Sequence, residues 1–483
     1  MSDTRFDLQA FDRYVTDLFE KSGFPGVSMV VRGPEGIIYE KGFGKRSVEH
    51  DLPVDPDTVF GIASMSKSFT TFALAILQTE GKVDFSDPVR KYFPNFHVPG
   101  IPDDCVTLRH LAQHTAGIPP IQPLEWSIAM NSIERDNPWS RAMVASAPNK
   151  METIDQIIDY ISAGDYGVEG YGTLGSPGEY HSYSNEGYAI LSYVVDQVAG
   201  MPLEEFLKER VFGPLGMTRT VLDLDGSEAR ALAGGNITSL FERDEDGKLV
   251  WDDNFSVLPP FRGCACMKST ARDLTIYYKM LADRGVVNGE QVIPAEAVEI
   301  LIGREFPATY RPHYAFGLKK RLFGGKVICE HYGELHGTST AGGLVETEEG
   351  GYSVVVLTNE GSVEPDPFLW AGYNLILGLP LDTDQYLFDP VGRAFSDPEA
   401  LVGDYVAAEG ETAHCIVTLE DGRLLADLSG TPCVLLHCGE ASFVAVKRED
   451  RKTRVNHLEF FVRGGKAWGV RCGSRVYQEL SRR

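Results

Sequence analysis

Ser64-Met-Ser-Lys67 heads the run Ser68-Phe-Thr-Thr-Phe-Ala-Leu-Ala-Ile-Leu77, and the rest of the chain is read outward from it. Phe69, Phe72, Ala73, Leu74, Ile76 and Leu77 recur with helical spacing, which predicts a buried helix over residues 64–80. Residues three apart share one face of a helix, so Lys67 is set beside the Ser64 hydroxyl. Serine is a poor nucleophile until a base removes its proton. Lysine serves as that base only when held neutral, a state favoured by burial and nearby positive charge. A helix start also leaves backbone N–H groups unbonded, suited to a developing oxyanion. A lone Ser-x-x-Lys arises often by chance, so its weight depends on its company.

Two further patterns supply that company. Tyr183-Ser-Asn185 lies in the loop Pro177-Gly-Glu-Tyr-His-Ser-Tyr-Ser-Asn-Glu-Gly-Tyr188. A phenol beside an amine can share proton shuttling, and the Asn185 amide can orient both a lysine and a substrate carbonyl. The bland alternative is a core tyrosine next to a turn. The third pattern, His331-Tyr-Gly333, precedes the apolar runs Ala341–Val345 and Ser353–Leu357, so it is expected at a sheet edge lining a cleft. His437-Cys-Gly439 repeats the tripeptide and reads as structural. His110 and His114 share a helical face, but no third ligand accompanies them, so no metal is expected. No cofactor is expected either: the chain lacks a Gly-x-Ser-x-Gly elbow, a His-Glu-x-x-His pair and a phosphate-binding glycine loop.

Leu8, Phe11, Val15, Leu18 and Phe19 predict an amphipathic helix over residues 7–21. Val27–Val31 and Gly36–Tyr39 read as strands joined across Gly33-Pro34. Strands near both ends of this half, with helices between, predict an α/β domain whose sheet is closed by both termini. Residues 382–399 read as a linker. Beyond them Ile416–Leu419, Leu424–Leu428, Val434–His437, Phe443–Val446, Leu458–Val462 and Trp468–Arg471 alternate at even spacing, the pattern of a small antiparallel barrel or sandwich.

Of the 483 residues, 45 are Lys or Arg and 69 Asp or Glu, a net charge of −24 that argues against nucleic acid or anionic membrane as partners. Eight cysteines are scattered without CxxC pairs, so neither a disulfide framework nor a zinc site is expected. The first residues show no apolar signal core, and no run is long enough to span a membrane. A reduced, cytoplasmic protein is the expectation.

Together the three motifs resemble the SxxK serine hydrolase superfamily of class C β-lactamases, penicillin-binding proteins, D-aminopeptidases and related esterases. Asp57-Thr-Val-Phe-Gly-Ile-Ala-Ser-Met-Ser-Lys-Ser-Phe-Thr70 is similar to its nucleophile segment, and Gly81–Pro94, Thr107–Gly117 and Pro214–Thr218 to later landmarks. The resemblance implies an α/β (α+β) β-lactamase-like domain over residues 1–381, with an antiparallel sheet flanked by helices. Residues 119–176 would be a helical cap insertion, with Trp126, Trp139, Met130, Met143 and Met151 available to an acyl pocket. Residues 400–483, opening Leu401-Val-Gly-Asp-Tyr405, resemble the lipocalin-like barrel appended to some members.

The resemblance also implies roles. Ser64 would be acylated and Lys67 would activate it. Tyr183 would relay protons, and Asn185 would hold Lys67 and the substrate amide. His331 would be a further catalytic-site residue, and Gly333 would belong to the substrate-binding and oxyanion element. The backbone N–H groups of Ser64 and Glu334 would form the oxyanion hole, each donor contributing about 3 kcal/mol. Lys67 or Tyr183 could be the formal base, and their titrations would be coupled.

Penicillin-recognising relatives usually carry Lys-Thr-Gly where this chain has His331-Tyr-Gly333. A mostly neutral histidine in place of a fixed cation should weaken binding of β-lactams and free peptide C-termini. The expected substrate is therefore a small ester, amide or D-aminoacyl compound, or a short peptide, and turnover of β-lactams should be weak at best. An acyltransferase or peptide cyclase on the same scaffold is the alternative, and a β-lactam-binding protein a weaker one. Self-association into a homo-oligomer is allowed by the sequence without being required.

Overall fold

The structure is a computed structural model that describes residues 6–131, 138–244, 246–309, 311–361, 364–386, 390–409 and 413–480. Its described residues divide into two compact units. One holds the chain to Phe85 and Tyr188–Gln385; the other holds Ser86–Met130, residues 138–187 and the chain from Tyr386 onward.

The first unit is built on an eight-stranded antiparallel sheet. Its order is His313–Tyr314, Lys319–Phe323, Lys326–Leu335, Thr338–Thr347, Gly350–Thr358, Gly26–Gly33, Gly36–Ser47, Leu52–Pro53. The first long strand thus pairs with the last, Val27 opposite Thr358 and Val31 opposite Val354, which closes the sheet from both ends of the segment. Side chains alternate across each strand. Val354 and Val356 face a core with Val27, Met29, Val31, Phe11, Val15, Phe368 and Leu369, supplied by the helices Leu8–Ser22 and Asp366–Leu377. Asp7 caps the first of these by accepting from Ala10 N–H, and Gly23 ends it in the left-handed region. The intervening Ser353 donates its hydroxyl to the Thr275 carbonyl of helix Ala271–Ala282, on the other face. That helix in turn stacks Tyr277 on Phe69 of helix Ser66–Thr79, with ring centroids 4.0 Å apart. The helix carrying Lys67, directly after Ser64, is therefore a packed element.

The second unit contains the helices Leu108–Ala112, Pro123–Asn131, Pro138–Ser146 and Ile154–Ala163, and a closed barrel of eight strands from Gly403–Ala407 to Arg475–Glu479. Tyr405, Cys415, Val417, Leu424, Phe443, Leu458, Phe460 and Val470 fill the barrel interior. Phe443 and Phe460 meet edge to face with centroids 5.6 Å apart, so aromatic rings occupy the space a barrel ligand would take. The first and last strands, which the sequence reading left outside its six runs, close the barrel through Tyr405 opposite Glu479. None of the eight cysteines forms a disulfide, and His437-Cys-Gly439 sits in a barrel strand.

Candidate active site

From Thr58 through Leu77 every residue except Ser64 is buried. The chain enters on Phe60–Gly61, which pairs with Met267–Ser269, and turns through Ala63 at φ +43°. It then winds the short 3-10 turn Ala63–Met65 into the helix that begins at Ser66. A left-handed φ costs a residue with a Cβ roughly 1 kcal/mol or more. Three bonds hold it there. Ser66 Oγ donates to the Ala63 carbonyl at 2.6 Å, Ile62 N–H donates to Met267 O at 3.0 Å, and Met267 N–H donates to Ser66 Oγ at 3.3 Å. The first bond of the turn runs from Met65 N–H to Ile62 O, and the Ser64 N–H lies ahead of it, among the helix-start donors.

Lys67 Nζ lies 2.9 Å from Ser64 Oγ and donates to the Cys264 carbonyl at 3.2 Å. Its side chain is fully buried. The three-residue spacing thus yields the contact it implies, with one partner the sequence did not signal: the carbonyl, not the thiol, of Cys264. A Cβ on neighbouring Gly263 would fall 2.5 Å from Ser192 Cβ and 2.8 Å from Thr70 Oγ1, which is why glycine stands there.

His331 lies where its strand becomes an edge. On one side the register ends at Lys319 opposite Glu330, so residues 331–335 keep a strand partner only on the other side, Gly342 to Thr338. His331 Nδ1 is 2.5 Å from the Tyr332 carbonyl oxygen, which can only accept, so Nδ1 carries the proton. Nε2 then accepts from the Tyr314 hydroxyl at 2.9 Å. Burial, reinforced by Lys67 and Lys319, pushes the ring pKa down to about 3. At neutral pH His331 is uncharged, with its lone pair engaged. Tyr314 belongs to no motif; it arrives because it pairs with Lys319, the strand neighbour of Glu330.

Gly333 has a steric reason. A Cβ there would lie 2.3 Å from Ile62 O and 2.6 Å from Thr340 Oγ1, so the strand can press on the turn before Ser64 only as glycine. Glu334 is exposed and opposite Ser339 in register. Gly333→Ala is expected to lower stability by about 1–3 kcal/mol and to slow acylation of Ser64 by shifting the Ile62 carbonyl. Thermal melts and single-turnover rates equal to wild type would show that the close approach does not hold the turn.

Tyr183 and Asn185 belong to the other unit, where local chemistry also explains them. Ser184 accepts from the Gly187 N–H at 3.2 Å and so caps the helix Asn185–Ala199, leaving Tyr183 just before the helix and Asn185, 5% exposed, as its first residue. On one side the loop is held by His114, itself at φ +58°. The His114 carbonyl accepts from Ser182 N–H at 2.9 Å, and its Nδ1 accepts from Ser184 N–H at 3.0 Å. Its ring lies 4.2 Å from that of Tyr183. His110 Nδ1 accepts from Thr107 N–H at 3.1 Å, so both histidines have structural duties. On the other side stands the barrel turn before its last strand: Tyr183 N–H donates to Ser474 O at 2.8 Å, and Arg475 lies 4.7 Å from the Tyr183 ring centroid.

Beside this loop Glu186 is buried and accepts from the Ser184 hydroxyl at 2.9 Å. Burial, then Glu409, raises its pKa from 4.5 to about 7. The folded value lies above the unfolded one, so the stability Glu186 contributes is complete below pH 4.5 and is lost as pH rises through about 7. Glu186→Gln is therefore expected to melt progressively higher than wild type as pH goes from 5 to 8. A pH-independent difference between the two melting curves would refute the buried-carboxyl account.

Among the described residues no group of three or more His, Cys, Asp or Glu side chains could hold a metal ion. No described helix is long and apolar enough to cross a membrane.

A family model described as Beta-lactamase matches residues 11–377. The chain is 25% identical over 431 residues to penicillin-binding protein 4* of Bacillus subtilis (strain 168), covering 86% of each chain. It is also 25% identical over 367 residues to a putative D-alanyl-D-alanine carboxypeptidase of Escherichia coli (strain K12), covering 69% of this chain and 76% of the relative. The octameric penicillin-binding protein homologue of Pyrococcus abyssi superposes with a TM-score of 0.66 at 22% identity, over 98% of this chain and 99% of that one. The D-amino acid amidase of Ochrobactrum anthropi SV3 superposes with a TM-score of 0.55 at 23% identity, over 74% and 92%. Both superpositions bear on the fold.

Proposed function

The chain belongs to the beta-lactamase family and is a serine hydrolase, and from that premise we propose that it cleaves small amides, esters or D-aminoacyl compounds through an acyl-Ser64 intermediate. The observation that carries the proposal is Ser64: the one residue of a buried segment left accessible, with a buried lysine amine 2.9 Å from its hydroxyl. Ser64 Oγ attacks the substrate carbonyl as its proton passes to the Lys67 amine. The backbone N–H groups of Ser64 and Glu334 take the developing oxyanion. Tyr183, assigned by its motif, relays the proton to the leaving group, and Asn185 orients the substrate amide. Water then attacks the ester carbonyl, and Ser64 leaves with its proton restored.

His331 sets the substrate preference. A neutral ring whose Nε2 already accepts from Tyr314 offers no cation to a substrate carboxylate. Amides and esters are thus favoured over peptides recognised by a free C-terminus, which supports amidase or aminopeptidase chemistry of the kind named for the Ochrobactrum anthropi relative. The Pyrococcus abyssi homologue is octameric. We extend the proposal of a homo-oligomer to this chain; a monomeric mass by light scattering would overturn that part.

The test is intact-protein mass spectrometry after brief exposure to p-nitrophenyl esters, D- and L-aminoacyl p-nitroanilides and penicillin G, with wild type and Ser64→Ala. An acyl increment and chromophore release are expected in wild type alone, strongest for an ester or D-aminoacyl anilide. Equal increments in both proteins, or none in a folded wild type, would overturn the assignment. Added amine captured in the product would mark acyl transfer in place of hydrolysis.

A further inference from the structure

The barrel reaches the Tyr183 loop through several independent contacts within their shared unit. Ser474 O accepts from Tyr183 N–H, Val476 N–H donates to Ser182 Oγ at 3.2 Å, and Gln478 Nε2 donates to Gly172 O at 2.6 Å. Tyr180 meets both members of the stacked pair Phe461 and Trp468 edge-on, with ring centroids 4.9 Å from each. At the centre of this surface is a side chain with no role in the chemistry so far. Arg475 donates from Nη2 to Glu409 Oε1 at 2.7 Å and from Nε to the other carboxylate oxygen. Its Nη1 donates to Ser474 Oγ at 3.1 Å. This fork fixes the guanidinium against the face of the Tyr183 ring. Arg475 and Glu409 are 26% and 18% exposed, shielded enough for the pairing to matter and open enough to avoid the full cost of burying charge.

We propose that Arg475, braced by Glu409, is a positioning residue for Tyr183, so that the barrel is a working part of the catalytic apparatus and not an appendage. This rests on Tyr183 acting as the proton relay. The reach of a relay is short, and a displacement of about 1 Å costs on the order of 100-fold in rate. A phenol carried on a loop between elements has few means of holding that tolerance. Here the backbone is tied to Ser474, the ring is contacted by both His114 and Arg475, and the guanidinium is clamped by the Glu409 carboxylate. Arg475 opens the last strand of the barrel and Glu409 lies two residues past the first, Gly403–Ala407, and these two strands pair at Tyr405 and Glu479.

The experiment compares Arg475→Gln, Arg475→Lys, Tyr183→Phe and the double variant Arg475→Gln/Tyr183→Phe in the full chain, with p-nitrophenyl acetate and D-alanyl p-nitroanilide as probes. Arg475→Gln should lower kcat by roughly 10- to 100-fold with KM nearly unchanged. Arg475→Lys should recover part of the loss, and the Gln substitution should add little once Tyr183 is already Phe. Hydrogen exchange of residues 180–185 should speed up in Arg475→Gln whatever the substrate. Should Arg475→Gln fail to fold, Glu409→Gln loosens the same fork and carries the same expectation. Equal losses in both Tyr183 backgrounds, or a wild-type kcat with unchanged exchange, would overturn the positioning role. Full activity in Tyr183→Phe would instead remove the relay on which it rests.

Discussion

Replacing Lys67 by Met should lower kcat/KM by about 10⁴-fold or more while the protein still folds. The side chain is wholly buried, its amine touching Ser64 Oγ and the Cys264 carbonyl. Met has a similar length and suits an apolar interior, so the fold should tolerate it. The Cys264 carbonyl loses a donor, at a stability cost of about 1–3 kcal/mol. What disappears is the amine 2.9 Å from Ser64 Oγ that takes its proton. Arg at the same position should be equally inactive although it keeps the charge, because a guanidinium does not release its proton in a protein. A pre-steady-state acylation assay on wild type, Lys67→Met and Lys67→Arg distinguishes charge from basicity. Substantial acylation by Lys67→Arg would show that only a cation is required.

The second large effect concerns the barrel. A chain ending at residue 394 should lose turnover of every substrate in the panel by more than about 100-fold, not merely change its preference among them. Truncation removes Ser474 and Val476, which bond the Tyr183 loop, and Gln478, which bonds Gly172, and exposes the Tyr180 face that Phe461 and Trp468 cover. It also leaves Glu186 without Arg475 and Glu409 nearby. Aggregation or a lowered melting point is the expected companion, since an uncovered aromatic patch is an association surface. Comparing kcat for an ester and an anilide in intact and truncated chains reads both effects. A soluble truncated protein that turns over both probes like wild type would make the barrel dispensable.

Much of the site was legible because its chemistry is written at short range. Ser64 and Lys67 meet because a helix brings residues three apart together. Ser184 marks the start of the helix that sets Tyr183 and Asn185 on either side of a cap. Six of the barrel strands showed their alternation, whereas the first and last were missed. Gly403-Asp-Tyr-Val-Ala407 and Arg475-Val-Tyr-Gln-Glu479 are short and polar at several positions, and each is a strand through pairing with its neighbour in the chain and, across about 70 residues, with the other.

The sequence alone therefore determined the pairing of Ser64 with Lys67 and the alternation of six barrel strands, which depend on spacings within one or two turns and on periodicity, while its motifs carried the resemblance that implied the β-lactamase-like domain. Only the tertiary structure decided the tautomer and neutrality of His331, the carbonyl of Cys264 on Lys67, the steric need for Gly333 and the Arg475–Glu409 clamp on Tyr183. Each of those is a contact across long sequence separation, or a consequence of burial. Both arise when strand register and side-chain packing bring distant residues together, and no local pattern records them.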